Sequence, residues 1–144
     1  MTAVVVERRI AAAPATVFSF FTDLARWTAW QGVDGDLDPR PGGVLRIRMP
    51  GGQVASGRFV ELVPNERLVF TWGWEGDGAP LPPGSTTVVV ELLADADGTL
   101  VRLTHSDLAP PPVAEHHRDG WERYLDRLVI RAAGGDPGPD TASP

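Results

Sequence analysis

The sequence predicts an α+β fold, in which one antiparallel sheet packs against one long C-terminal helix. Three observations indicate this class. The elements follow the order strand, helix pair, strand meander and final helix. The strand segments alternate apolar and polar residues, as half-buried strands do. The last helical segment carries one wide apolar stripe, which needs a sheet face to cover it.

The first third of the chain predicts one strand, two short helices and a loop. Residues 3–10 are rich in β-branched side chains, which favours a strand. Pro14 fits the first turn of a helix that continues to Thr22, and a second helical turn is expected at 23–30. Residues 31–43 are rich in Gly, Pro and Asp, so we expect them to form a loop.

Five further strand segments follow, each bounded by residues that favour turns. Asp97 and Gly98 stand between the last two segments and are typical of a hairpin turn. The segments therefore predict an antiparallel meander. They span residues 44–49, 54–63, 67–74, 86–93 and 99–105.

The last predicted helix covers about residues 113–132 and ends before Gly134, Gly135 and Pro137. We expect one domain over residues 1–133, followed by a disordered tail over residues 134–144. The apolar side chains of the helix repeat at helical spacing and form a single stripe. They are Trp121, Tyr124, Leu125, Leu128, Val129 and Ala132.

The predicted sheet has one apolar and aromatic face, which the last helix is expected to cover. Trp72, Trp74 and Trp121 meet at this interface, and each buried indole N–H needs a hydrogen-bond acceptor. A cavity with polar groups in its lining supplies such acceptors more readily than a dry core does. The pattern alone leaves open whether the sheet and helix pack solidly or enclose a cavity.

Composition and charge exclude several classes of protein. The 144 residues include 19 acidic and 13 basic side chains, all of the latter arginine, and the net charge is −6. Because the basic residues are scattered, nucleic acid is not an expected partner. The absence of cysteine excludes disulfides and thiolate chemistry. No segment has the apolar length of a signal peptide or a membrane span, so we expect a cytoplasmic protein.

The three histidines are the main candidates for acid–base or metal chemistry. His116 and His117 are adjacent, so their side chains diverge by about 100° on a helix and cannot easily share one metal. We expect both to be solvated, with His117 at the rim of any cavity. His105 is expected on the inward strand face, either as a hydrogen-bonded core residue or as a general base with an orienting carboxylate. No motif specifies catalysis, and no metal or cofactor is expected.

Segments that resemble one protein family occur in order over about residues 4–132. They include AAAPATVFSFFTD, RWTAW, GRFVELVPNERLVFTWGW, GTLVRLTHSDL and HHRDGWERYLDRL. This ordered set resembles the activator of heat-shock-protein-90 ATPase homologue-like family, within the SRPBCC (START and birch-pollen-allergen-like) superfamily. The resemblance implies a helix-grip fold. Such a fold has a curved antiparallel sheet of six to seven strands around the C-terminal helix, with two short helices after the first strand.

The resemblance also implies a hydrophobic cavity between sheet and helix, which the superfamily uses for apolar molecules. Our leading hypothesis is therefore non-enzymatic binding of a small hydrophobic or aromatic ligand, with the loops at 31–43 and 75–85 as gates. Two alternatives stay open: a polyketide cyclase- or hydrolase-like enzyme that uses His105, and a co-chaperone-like protein-interaction module. A homodimer is a further open alternative, since members of the superfamily often pair. The expected ligand-binding residues are Phe70, Trp72, Trp74, Val90, Leu103, His105, Trp121, Tyr124, Leu125 and Leu128.

Overall fold

The computed structural model describes residues 2–141 and contains one seven-stranded antiparallel sheet with a long helix packed against it. The elements are β1 (Thr2–Ile10), α1 (Pro14–Ser19), α2 (Leu24–Trp27), β2 (Asp34–Leu37), β3 (Val44–Arg48), β4 (Val54–Val63), β5 (Arg67–Trp72), β6 (Thr86–Asp95), β7 (Gly98–Leu108) and α3 (Pro111–Ala132). In space the strands follow the order β1-β7-β6-β5-β4-β3-β2. Neighbouring strands from β2 to β7 are therefore consecutive in the sequence, and β1 forms the edge opposite β2 by pairing with β7.

The predicted fold class is confirmed, with small differences at the ends of elements. The first strand, the two short helices, the five meander strands and the final helix are all present. β5 ends at Trp72, two residues earlier than expected, and Trp74 keeps a single bridge to Ala55. β7 continues to Leu108, three residues beyond the predicted end.

One strand lies where the sequence predicted only a loop. Within residues 31–43, β2 pairs with β3 along four residues and forms the far edge of the sheet. Gly35 allows this pairing, because a Cβ at that position would lie 2.0 Å from the carbonyl oxygen of Arg46. The expectation of an unstructured loop was wrong here, since glycine and aspartate lower strand propensity but do not prevent edge pairing.

The core lies between the sheet and α3, which packs mainly on β1 and β7. The alternation predicted for β3, β6 and β7 is observed, with every second residue buried along the inner face. Five of the six residues of the apolar stripe of α3 are buried, and Val129 is partly buried against the core. Aromatic rings of α2, β4 and β5 complete the core at the other side: Trp27, Phe59, Phe70 and Trp72 are fully buried.

Residues 134–141 form no helix or strand and lie against α3. The Arg127 guanidinium donates to the carbonyl oxygens of Pro137 and Gly138 at 3.2 and 2.8 Å, and the Tyr124 hydroxyl donates to Asp140 at 2.8 Å. The disorder expected for residues 134–144 stays a prediction, and residues 142–144 lie outside the described chain. Within residues 2–141, no helix combines the length and apolar character needed to cross a membrane.

Candidate ligand-binding site

A cavity of about 110 Å³ lies where the end of β5 meets the N-terminal half of α3. Four aromatic side chains form much of its wall: Trp72, Trp74, Trp121 and Tyr124. The ring centroid of Trp72 lies 5.2 Å from that of Trp121 and 5.9 Å from that of Trp74. The remaining lining residues are Gln31, Met49, His116, His117, Asp119, Gly120 and Arg123.

The local sequence explains why these rings converge. Trp72 and Trp74 are two residues apart, so an extended backbone sends both to the same side of the sheet. On α3, His117 and Trp121 are separated by one helical turn and face that side. Much of the cavity wall therefore comes from two pairs of side chains, one pair spaced as on a strand and the other as on a helix, that face each other between the sheet and α3.

A larger cleft of about 490 Å³ adjoins this cavity. Residues 75–80 of the long loop after β5 form one side of the cleft, and the first turns of α3 form the other. Trp74, His116 and His117 line both spaces, so these three side chains separate the cleft from the cavity.

The structure divides the ten predicted ligand-binding residues into two groups. Trp72, Trp74, Trp121 and Tyr124 line the cavity. The other six are fully buried in the packed core and line neither the cavity nor the cleft. Most of the sheet–helix interface is therefore solid, with a hollow at one end. The six core residues are Phe70, Val90, Leu103, His105, Leu125 and Leu128.

His105 belongs to a buried chain of hydrogen bonds. The Trp121 indole N–H donates to His105 Nδ1 at 3.0 Å, which leaves the proton of the neutral ring on Nε2. His105 Nε2 then donates to the Thr86 hydroxyl at 2.7 Å, and that hydroxyl donates to the carbonyl oxygen of Trp72 at 2.6 Å. Burial, together with the nearby His117, lowers the pKa of His105 from 6.5 to about 3. The ring is therefore neutral and fully hydrogen-bonded at neutral pH.

His117 forms a second pair of the same kind. Its Nδ1 donates to the carbonyl oxygen of Val113 at 2.9 Å, and its Nε2 accepts from the Trp74 indole N–H at 3.1 Å. The expectation that His117 is solvated was wrong, because its side chain is buried, whereas His116 is exposed. Burial lowers the pKa of His117. Its ring centroid lies 5.3 Å from that of His105, so two neutral imidazoles are adjacent inside the protein.

Trp72 differs from its two neighbours in its hydrogen bonding. Within residues 2–141, its indole nitrogen is buried and has no hydrogen-bond partner. Leaving a buried donor unpaired costs about 1–3 kcal/mol. Arg131 Nε is another such nitrogen among the described residues, and Arg131 lines neither the cavity nor the cleft. Because the nitrogen itself is buried, Trp72 lines the cavity with other atoms of its side chain.

Residues that the sequence prediction missed complete the wall. Gln31 is buried after α2, and its side-chain amide oxygen, Oε1, accepts from the Trp27 indole N–H at 2.9 Å. Met49 follows β3, and Gly120 opens the wall on α3, where a Cβ would meet nothing within 4 Å. No local signal marks Gln31, because its position depends on α2 packing under the sheet.

In the part of the chain described, no three His, Asp or Glu side chains come together as a metal site requires.

Sequence comparison finds a match to one protein family over most of the chain. Residues 11–132 match the family described as activator of Hsp90 ATPase homolog 1-like protein. A human protein, "Activator of 90 kDa heat shock protein ATPase homolog 1", is 27% identical over 111 residues. That match covers 77% of this chain but only 31% of the human protein, so this chain corresponds to a minor part of that relative.

Solved structures share the fold. The solution NMR structure of an AHSA1-like protein from Rhizobium etli is 41% identical, covers 99% of this chain and 89% of that chain, and superposes with a TM-score of 0.76. The solution structure of the Aha1 dimer from Colwellia psychrerythraea is 22% identical, covers 96% of this chain and 100% of that chain, and has a TM-score of 0.81. At this lower identity the second comparison indicates the fold alone.

Proposed function

This chain belongs to the family of activator of Hsp90 ATPase homolog 1-like proteins, and on that premise we propose that it binds a small hydrophobic or aromatic ligand without transforming it. The observation that carries the proposal is a cavity whose wall is made largely of aromatic rings, those of Trp72, Trp74, Trp121 and Tyr124. Ligand sites are typically concave and apolar, with a few polar groups that fix orientation. The cavity has this composition.

The size of the cavity limits how a ligand is held. Sites for drug-sized molecules usually measure about 300–1,000 Å³, whereas this cavity measures about 110 Å³. A ligand would place one ring or a short apolar group in the cavity. The rest of its body would extend into the adjoining cleft of about 490 Å³, past Trp74 and His117.

The hydrogen bonds around His105 disfavour the enzymatic alternative. A general base must reach the proton that it removes and needs a pKa near the working pH. Both ring nitrogens of His105 are engaged, by Trp121 and Thr86, and its pKa of about 3 makes the ring a weak base. His105 also lines neither the cavity nor the cleft. These features favour a role in holding the sheet and α3 together.

A co-chaperone-like role and a homodimer are the remaining alternatives. The human relative is named as an activator of a heat-shock ATPase, but this chain covers 31% of that protein. Pull-down and ATPase-stimulation assays with a 90 kDa heat-shock protein test the first alternative. The Colwellia structure is described as a dimer. For this chain a homodimer stays a prediction, which light scattering after size-exclusion chromatography tests.

A blocking variant tests the proposed function. A leucine at Gly120 has open space at its Cβ and starts from the cavity wall, so Gly120→Leu should fill the cavity. We expect tryptophan-fluorescence titration with indane to show binding that Gly120→Leu weakens at least about tenfold, the equivalent of 1.4 kcal/mol. Glu115→Leu, an exposed change on the same helix outside both spaces, is the matched control and should leave the affinity unchanged.

Two results would contradict the proposal. One is that neither indane nor larger aromatic probes bind the wild-type protein, and that native mass spectrometry of gently purified protein finds no bound small molecule. The other is that Gly120→Leu and Glu115→Leu bind the probe equally well.

A further inference from the structure

Two side chains that line both the cavity and the adjoining cleft are hydrogen-bonded to each other. The indole N–H of Trp74 donates to Nε2 of His117 at 3.1 Å, and the centroids of the two rings lie 6.2 Å apart. The third residue shared by the two spaces, His116, is exposed to solvent. The Trp74–His117 hydrogen bond therefore lies on the boundary between the small aromatic cavity and the larger cleft.

The histidine of this pair is held in place. Nδ1 of His117 donates to the carbonyl oxygen of Val113 at 2.9 Å, one helical turn earlier on α3. The ring is buried, and its centroid lies 5.3 Å from that of His105 in an edge-to-face contact. A rotation of this ring would break the bond to Val113 and leave a gap beside His105, so His117 is a fixed acceptor.

The tryptophan of the pair is fixed at its backbone rather than at its ring. The backbone N–H of Trp74 donates to the carbonyl oxygen of Leu81 at 2.7 Å, and the residue forms a bridge with Ala55 in β4. Its side chain is only half-buried, and His117 is its one side-chain hydrogen-bond partner within residues 2–141. The indole can therefore rotate about χ1 without a change in the backbone, if it gives up this hydrogen bond and its ring contact with Trp72.

The cleft beyond the pair offers apolar surface. Ala79 and Pro80 of the loop after β5 line one side, and Pro112 and Val113 of α3 line the other. The lining also contains two carboxylates and, in the described part of the chain, no arginine. Because like charges repel, the cleft favours an uncharged alkyl chain over one that ends in a carboxylate. The two carboxylates belong to Glu75 and Asp77.

We infer that Trp74 is a gate that closes on His117, and that its rotation joins the cavity and the cleft into one elongated site for an aromatic ring with an uncharged alkyl chain. The inference rests on the proposed function and adds the pair of residues that sets the length of the ligand. With the gate closed, the cavity of about 110 Å³ accepts a ring and little more. With the gate open, the chain lies in the cleft of about 490 Å³.

Two probes that share a benzene ring test the gate in tryptophan-fluorescence titrations: toluene, and butylbenzene with its longer chain. His117→Phe keeps an aromatic ring but removes the acceptor, so a larger fraction of the protein has the gate open. We expect this variant to raise the affinity for butylbenzene relative to toluene by about two- to tenfold, the equivalent of one net hydrogen bond. Glu115→Phe adds the same side chain at an exposed position of α3 outside both spaces, and it should keep the wild-type ratio.

The possible results separate this inference from the proposed function. If neither toluene nor butylbenzene binds the wild-type protein, the proposed function fails and the gate fails with it. If both bind, but the affinity ratio in His117→Phe equals that in the wild type and in Glu115→Phe, ligand binding stands and the gate is refuted.

A crystal structure of the wild-type protein with butylbenzene keeps the test decisive if His117→Phe does not fold. We expect the ring in the cavity, the alkyl chain in the cleft, and Nε1 of Trp74 more than about 3.5 Å from Nε2 of His117. Either an intact Trp74–His117 hydrogen bond or a chain that leaves the cavity directly toward solvent would overturn the inference.

Discussion

Acidification from pH 7.5 to pH 5 should destabilise the protein through His105. The side chain is fully buried, and burial together with His117 lowers its pKa from 6.5 to about 3. As the pH falls below 6.5, the unfolded chain takes up a proton at this histidine that the folded chain does not. Stability therefore falls with pH from about 6.5 downward, and this contribution levels off near the folded-state pKa of about 3.

The magnitude follows from the size of the shift. One pKa unit corresponds to about 1.4 kcal/mol, so His105 alone should remove about 2 kcal/mol between pH 7.5 and 5. That is a sizeable part of a total stability of about 5–15 kcal/mol. The lowered pKa of His117 acts in the same direction. The window ends at pH 5 because Asp34 and Glu75, whose pKa values are lowered by Arg48 and Arg46, begin to lose their contribution only at lower pH.

Urea unfolding followed by circular dichroism at several pH values measures this effect. With a denaturant slope of about 2 kcal/mol per molar urea, the midpoint should fall by about 1 M between pH 7.5 and 5. His105→Gln keeps an acceptor for Trp121 and a donor for Thr86 but does not titrate, so its midpoint should fall by much less. His116→Gln, at an exposed position of α3, is the control and should behave as the wild type.

Two outcomes would refute the reasoning. A wild-type midpoint that does not change between pH 7.5 and 5 would mean that the folded protein accepts the proton at His105. An equal pH dependence in the wild type and His105→Gln would assign the effect to other groups.

Two further substitutions and one truncation have expected outcomes in the same unfolding assay. Gly57→Ala should cost about 2–3 kcal/mol, because its Cβ would lie 1.9 Å from the carbonyl oxygen of Thr71; a midpoint equal to wild type would disprove that close approach. Gly120→Ala should stabilise α3 by about 0.5–1 kcal/mol, since the added methyl meets nothing within 4 Å, and a destabilised variant would contradict this. Truncation after Gly135 removes the Asp140 acceptor of Tyr124 and should cost about 1–3 kcal/mol; unchanged stability would instead support the disordered tail.

The fold was predictable because its signals are local. The alternation along β3, β6 and β7 and the stripe on α3 each lie within one element and need no knowledge of distant contacts. β2 escaped prediction because Leu37 is its one apolar residue and the strand depends on pairing with β3. Edge strands of this kind take their structure from the neighbour rather than from their own propensity.

The site was predictable only in part, because the sequence shows which residues face inward but not which of them pack solidly. Phe70, Leu103 and Leu125 share inward faces with Trp72 and Trp121, yet they fill the interface completely. Gln31 joins the wall from a segment far away in the sequence. Small differences in side-chain volume across facing elements decide where an interface is hollow, and a one-dimensional pattern does not contain them.

The requirement that buried indoles find acceptors explains how the sheet and α3 are joined near the cavity. The sequence places three tryptophans at one interface, and the structure satisfies two with neutral histidines: Trp121 with His105, and Trp74 with His117. Each of these histidines donates a hydrogen bond from its other ring nitrogen, His105 to the Thr86 hydroxyl and His117 to the Val113 carbonyl oxygen. Both ring nitrogens of each histidine are therefore hydrogen-bonded. Trp72 lies between the two paired tryptophans, with its ring 5.2 and 5.9 Å from theirs, and has no third histidine. The requirement is therefore met at two of the three indoles, and the two histidine pairs hold tryptophans that line the cavity between β5 and α3.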